Sequence, residues 1–253
     1  MKKFLSIFLV FAMLLTALCF AGCEYIFDKI REDINKNKVN VCLDGVYYKL
    51  YLNVSKACVY SLDDKNGEQT KFVIQPYVEH EGVQYTVTEV GEYKFQAVGS
   101  PYFLLSTRMQ EVFIPETVEV IHFECLELCD TLQKVDVHPN NPNYASHDGI
   151  VYTKDMKTLL FGPLNRGEYK KYYVLPSGVD EITVIGSVWG AKHIFVPSSV
   201  KKATGFIERG RVVYFEKTEL SQDEQRYLDF AEIHLGYTLE QFLQEMAELY
   251  GEE

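Results

Sequence analysis

The chain has 253 residues, 47% of them hydrophobic and 14% aromatic, enough to build a sizeable core. Lys and Arg number 25 against 36 Asp and Glu, a formal net charge of −11; loss of an N-terminal segment carrying Lys2 and Lys3 takes this to −11 − 2 = −13. A surface this acidic argues against nucleic acid and anionic lipid headgroups as electrostatic partners.

Lys2 and Lys3 precede a charge-free run from Phe4 to Phe20, and small residues Ala21 and Gly22 lead into Cys23. This is the order of an export signal over residues 1–22. The run is near the lower limit for a membrane span, so a retained helix is the alternative. The segment resembles a bacterial lipobox, which implies Cys23 as the lipidated first residue of the mature chain. More than one acyl chain on that residue makes a stable anchor. Residues 23–40 read as a tether, with Ile26, Ile30 and Ile34 at the spacing of a short amphipathic helix.

Residues 41–86 carry strand and turn signals. Asp44-Gly45 separates two apolar runs, Lys65-Asn66-Gly67 separates two more, and Glu81-Gly82 precedes Tyr85–Val90. The expectation is an N-terminal β cap. Cys42 and Cys58 fall on separate strands of it, and an exported compartment permits a disulfide there without requiring one. Asn53-Val-Ser55 is a formal glycosylation sequon that reads as an ordinary turn.

From 87 to 216 the chain repeats itself. Val112-x-Ile114-Pro115 returns as Val135-x-Val137 with Pro139 behind it, an offset of 135 − 112 = 23. Val112-Phe-Ile-Pro-Glu-Thr-Val118 matches Ile194-Phe-Val-Pro-Ser-Ser-Val200, with Tyr173-Val-Leu-Pro-Ser-Gly-Val179 between them. Periods of this size mean stacked units that bury their apolar faces only against neighbours. Val90 to Ile121 spans 121 − 90 = 31 residues, so that unit holds an insertion around Gly99–Ser106, expected to fold back on the flank or to serve as a binding loop.

The pattern of Ile114-Pro115, Val118, Ile121, Cys125-Leu126, Cys129 and Leu132 resembles the BspA-type leucine-rich repeats of bacterial surface proteins. So does the run Asn141-Pro-Asn-Tyr144, Asp148-Gly-Ile-Val-Tyr152 and Lys157-Thr-Leu159, which the family forms as an inserted hairpin. The resemblance covers roughly residues 44–222. It implies a mainly β fold with short helices. The architecture it implies is a leucine-rich-repeat solenoid with a hairpin insertion near 141–162, an N-terminal β-hairpin cap and C-terminal helices over 217–253. It also implies a surface interaction or adhesion role. Within the C-terminal segment, Ser221-x-x-Glu224 and Thr238-x-x-Gln241 are capping boxes opening two helices. The first is expected to run past Ile233 to Gly236; the second carries Leu239, Phe242, Leu243, Met246 and Leu249 at helical spacing.

Strand alternation sorts the repeat residues. Val112, Ile114, Val135, Val137, Tyr173, Leu175, Ile194, Val196, Val213 and Phe215 are expected inside. Phe113, Asp136, Val174, Phe195 and Tyr214 then fall outside as one ladder, with Lys134, Tyr172 and His193 beside it. An exposed aromatic ladder flanked by charge is a candidate protein-binding face; the rival reading is cross-strand packing or coverage by another element.

Catalytic signals are absent from the sequence: there is no Gly-x-Ser-x-Gly and no phosphate-binding glycine loop. His122-x-x-Cys125-x-x-x-Cys129 has the outline of half a zinc site, but the repeat makes both cysteines small core residues. The expected protein is therefore an extracytoplasmic, lipid-anchored binder of a protein or other surface macromolecule, with no metal, cofactor or catalysis. A structural part of an envelope assembly is the first alternative, and a metal-dependent enzyme the second.

Overall fold

The computed structural model describes residues 37–62, 69–91, 108–127, 129, 131–163, 171–183, 191–204, 211–228 and 231–251. Cys23, the tether up to residue 36, the Lys65–Gly67 turn and the Gly99–Ser106 insertion lie outside them. The described fold is mainly β with a few short helices.

Strands β1 (Lys38–Leu43), β2 (Val46–Tyr51) and β3 (Lys56–Leu62) form an antiparallel meander. β4 (Lys71–Val73) follows, then the hairpin β5 (Tyr77–His80) and β6 (Val83–Val90). The Asp44-Gly45 and Glu81-Gly82 turns have positive φ at both residues, the backbone that two-residue hairpins require. β6 pairs in parallel with β3 and with β8 (Val120–Ile121), so the first sheet joins the meander to the repeats. Val90 pairs with Ile121, the register expected of the 31-residue unit. Gly91 sits at φ +79 where a Cβ would meet Cys125 Sγ at 2.7 Å, so the chain needs glycine there.

The repeats pair in parallel, strand on strand. β4, β7 (Glu111–Ile114) and β9 (Lys134–Val137) make one ladder, with Glu111 opposite Lys134 at the 23-residue offset. β4, which the sequence places in the cap, thus pairs as a repeat strand. β13 (Tyr172–Val174), β15 (His193–Val196), β17 (Val212–Phe215) and β18 (Glu232–Leu235) make a second ladder. β12 (Thr158–Phe161), β14 (Glu181–Thr183) and β16 (Lys202–Thr204) make a third. A one-turn helix α1 (Glu124–Glu127) lies between β8 and β9. All ten residues expected inside the repeats are buried.

The hairpin β10 (Tyr144–His147) and β11 (Ile150–Thr153) is a wall between two apolar clusters. Val151 belongs to the cluster on the N-terminal side; Ile150 and Tyr152 belong to the next one. A bulge opposite Val151/Tyr152 lets Phe161 turn to Val151's side, where it stacks on Phe123 at 5.5 Å. Tyr152 and Tyr173 share a hydrogen bond of 2.5 Å between their hydroxyls on the other side. Asn141 anchors the hairpin: fully buried, it donates to the carbonyls of Pro115 and Val118 and accepts from the amides of Asn143 and Tyr144. Every polar atom of that amide group is used, so its burial carries no unmet hydrogen bond.

Two C-terminal helices open on the expected capping boxes: α2 (Gln222–Leu228), where Ser221 and Glu224 bond reciprocally, and α3 (Leu239–Tyr250), capped by Thr238 and Gln241. The segment differs from expectation in one respect. α2 is described over Gln222–Leu228, and Ile233 lies not in it but in β18, a further strand parallel to β17. Pairing to the open edge of β17 outweighs the helical spacing of a short segment.

Candidate functional site

The candidate face divides into two halves with different fates. Phe113 pairs with Asp136, and Val174 pairs with Phe195 and Phe195 with Tyr214, but Asp136 and Val174 are not neighbours. The single ladder expected from the sequence is two. The cause is the hairpin. The outward amide of Val135 donates to Gly149 O and that of Val137 to Ser146 Oγ, so the edge of β9 is occupied before β13 can reach it.

On β4, β7 and β9 the outer side chains remain accessible. Lys71 pairs with Glu111 at 3.0 Å, Glu111 with Lys134 at 3.7 Å and Lys134 with Asp136 at 3.1 Å. Lys71 holds the Glu111 carboxyl below its usual pKa, against the opposing effect of burial and with help from Lys134. Phe113 is half-buried and meets the His138 ring edge-on at 6.2 Å. Val73, its neighbour on β4, is 45% exposed. The result is an apolar strip beside an ordered row of alternating charge.

On β13, β15 and β17 the expectation of exposure fails. Phe195 is 2% exposed, Tyr214 1% and His193 6%. Helix α3 lies over them. Phe242 packs against Tyr172 at 5.7 Å, Phe195 at 5.5 Å and Tyr214 at 5.0 Å, and Met246 is buried in the same cluster with Val174 against it. Burying Phe242 and Met246 contributes about 1.5–3 kcal/mol each. Tyr214 donates to Glu245, His193 lies 3.3 Å from the Tyr214 hydroxyl, and His234 stacks on the Tyr214 ring at 4.7 Å. The outer aromatic row is thus a docking floor for the chain's own helix. The helical spacing of Phe242 and Met246 showed a helix in need of cover; strand alternation alone could not say that the outer row supplies it.

The cysteine and histidine positions do not converge. Cys125 and Cys129 are buried in the core, and burial drives the Cys125 thiol pKa well up. The His122 ring turns to Glu89 Oε1 at 2.8 Å instead. Among the described residues no group of three metal-ligating side chains gathers. Cys42 and Cys58 are free thiols, not a disulfide. They pair across strands with Tyr47 and Lys49, not with each other, and Cys58 is buried, with its pKa pushed up to about 12 by burial and by Glu89.

No protein-family model and no curated protein matches the chain. Solved structures that resemble it include bacterial leucine-rich-repeat proteins. A leucine-rich repeat protein from Eubacterium ventriosum is 14% identical, covering 70% of this chain and 72% of that one with a TM-score of 0.36. One from Bacteroides capillosus is 16% identical, covering 78% and 99% with a TM-score of 0.34. A leucine rich cell surface protein from Faecalibacterium prausnitzii is 12% identical, covering 73% and 57% with a TM-score of 0.37. Scores at this level describe a distant likeness, so the repeat register within the chain itself carries the reading that follows.

Proposed function

We propose that this chain is a lipid-anchored, extracytoplasmic leucine-rich-repeat protein that binds a macromolecular partner and performs no chemistry. Export and anchoring rest on the order of charge, apolar run and Ala21-Gly22-Cys23. The solenoid reading rests on the parallel pairing of repeat strands at the sequence offset. The observation that carries the binding role is the partly exposed face of β4, β7 and β9, where Phe113 sits beside Glu111, Lys134 and Asp136 while, among the described residues, the matching face of the next ladder is sealed by α3. Of the residues first marked for the face, Phe113, Lys134 and Asp136 stay in the proposal; Tyr172, Val174, His193, Phe195 and Tyr214 serve helix docking. A pull-down from surface extracts with residues 24–253 tests this. Phe113→Ala and Asp136→Lys should each lose the captured partner with the fold intact. Capture unchanged in both would remove this face from consideration.

A second reading has one observation in its favour. Leu239 and Leu243 on α3 and Leu235 on β18 are exposed, which suits docking of the C-terminal end into an envelope assembly. Leu239→Glu with Leu243→Glu should abolish that docking and leave binding at Phe113 untouched.

A further inference from the structure

Among the described residues the β4 end of its ladder is unfinished. Thr70 and Ile74 bond to β7: Thr70 O accepts from Gln110 and Glu111, and Ile74 N donates to Phe113 O. In a parallel strand alternate residues turn both backbone groups to the same side, so Lys71 and Val73 turn theirs to the open edge. The far end of the ladder shows what such positions take, because the amides of Val135 and Val137 are bonded by the hairpin. At β4 the edge meets the Gln75 side chain, whose Nε2 donates to Val73 O at a long 3.4 Å. β5 ends its own sheet in the same way. Its two-residue turn makes His80 and Val83 a bonded pair, so Tyr77 and Glu79 point their backbone groups outward.

Both open edges border one groove of about 690 Å³, closed on its third side by the turn between β1 and β2. Tyr48 and Phe72 reach it from the core, and Val73 and Tyr77 flank it at 45% and 48% exposure. Lys71 is engaged by Glu111, so the exposed Glu79 carboxylate sets the sign of the rim.

We propose that this groove binds an extended segment of another protein, which adds a strand at the β4 edge and alternates apolar with basic side chains. The backbone edge supplies hydrogen bonds, the apolar floor takes every second side chain, and the acidic rim selects Lys or Arg for the others. This goes beyond the face proposed above: that face is read through Phe113, Lys134 and Asp136, the groove through the backbone of Lys71 and Val73, so each reading fails on its own variants.

The test uses the full chain in mild detergent and a fluorescein-labelled peptide of about ten residues alternating Val and Lys, long enough to run along both edges. Fluorescence anisotropy should show saturable binding. N-methylation of alternate peptide amides should weaken it at least about tenfold, as should Val73→Pro and Glu79→Lys, whereas Phe113→Ala should leave it unchanged. Val73→Pro removes an outward amide and spares the bonds to β7. If that variant does not fold, the N-methylated peptide on the wild-type chain still decides. No saturable binding, equal binding of the N-methylated peptide, or equal binding of a Val/Glu peptide overturns the proposal. So does a stable dimer, in sedimentation, that the peptide cannot dissociate, because the groove would then belong to a second copy.

Discussion

Tyr214 donates its phenolic hydrogen to Glu245 at 2.7 Å, and this bond ties the β13–β15–β17–β18 ladder to the helix that covers it. Burial and the carboxylate together push the phenol's pKa well above its usual value. Tyr214→Phe keeps the ring between Phe242 and His234 and removes only the bond. It should cost about 1–2 kcal/mol in urea denaturation and speed proteolysis at residues 236–238. Glu245→Gln retains an acceptor and should cost less. Equal stability of Tyr214→Phe and wild type would show that packing alone holds α3.

The two phenylalanines of the outer row should behave oppositely. Phe195 is sealed under α3, so Phe195→Ala leaves a cavity and should cost about 3–5 kcal/mol. Phe113 is half-buried on the open ladder, so Phe113→Ala should stay within about 1 kcal/mol of wild type. Denaturant midpoints of the two variants check this; matching losses would mean that a further element covers Phe113.

Acid should loosen the α3 end. Burial pushes the His193 pKa below its ordinary value near 6.5; Lys192 and His234 act in the same direction, opposed by Glu245 and Glu232. Between that lowered value and 6.5 the unfolded chain binds more protons than the folded one, so stability falls as pH falls through the window and is whole above it. Tm measured from pH 7.5 downward should drop in this range, and His193→Gln should flatten that part of the profile. An unchanged slope in the variant would assign the loss to other groups.

Asn141→Asp should be among the most damaging single-atom changes. It replaces the donor to Pro115 O and Val118 O with an anion facing two carbonyls, and should cost about 2–4 kcal/mol. Thermal unfolding measures it. A loss below about 0.5 kcal/mol would mean that the hairpin is held by its strands alone.

The hairpin wall makes a further expectation concrete. Val151→Asp faces one apolar cluster and Tyr152→Asp the other, across the same strand. Both should abolish the repeats in a single unfolding transition, because neither cluster has its own wall. A stable proteolytic fragment ending near Gly149 would show two separable units instead.

Much of this was legible in the residues. The 23-residue offset between Val112 and Val135 is the register observed between β7 and β9. The Asp-Gly and Glu-Gly turns, both capping boxes and the whole inner row follow from φ requirements, local hydrogen bonds and a two-residue period, all of which act within a few residues. That Ile233 belongs to a strand was not legible, because the helical spacing after Gln222 competes with an open strand edge on β17.

The sequence by itself determined which side of each repeat strand faces inward, since alternation fixes the face once the strand exists. It did not determine what becomes of the other side. Phe113 and Phe195 occupy the same repeat position, yet one stays accessible and the other is buried. The difference lies in Gly149 and Ser146 closing the edge of β9, and in Phe242 reaching back across the second ladder. Those contacts join residues remote along the chain, and only packing of apolar surface against apolar surface selects among the partners that local pattern leaves open.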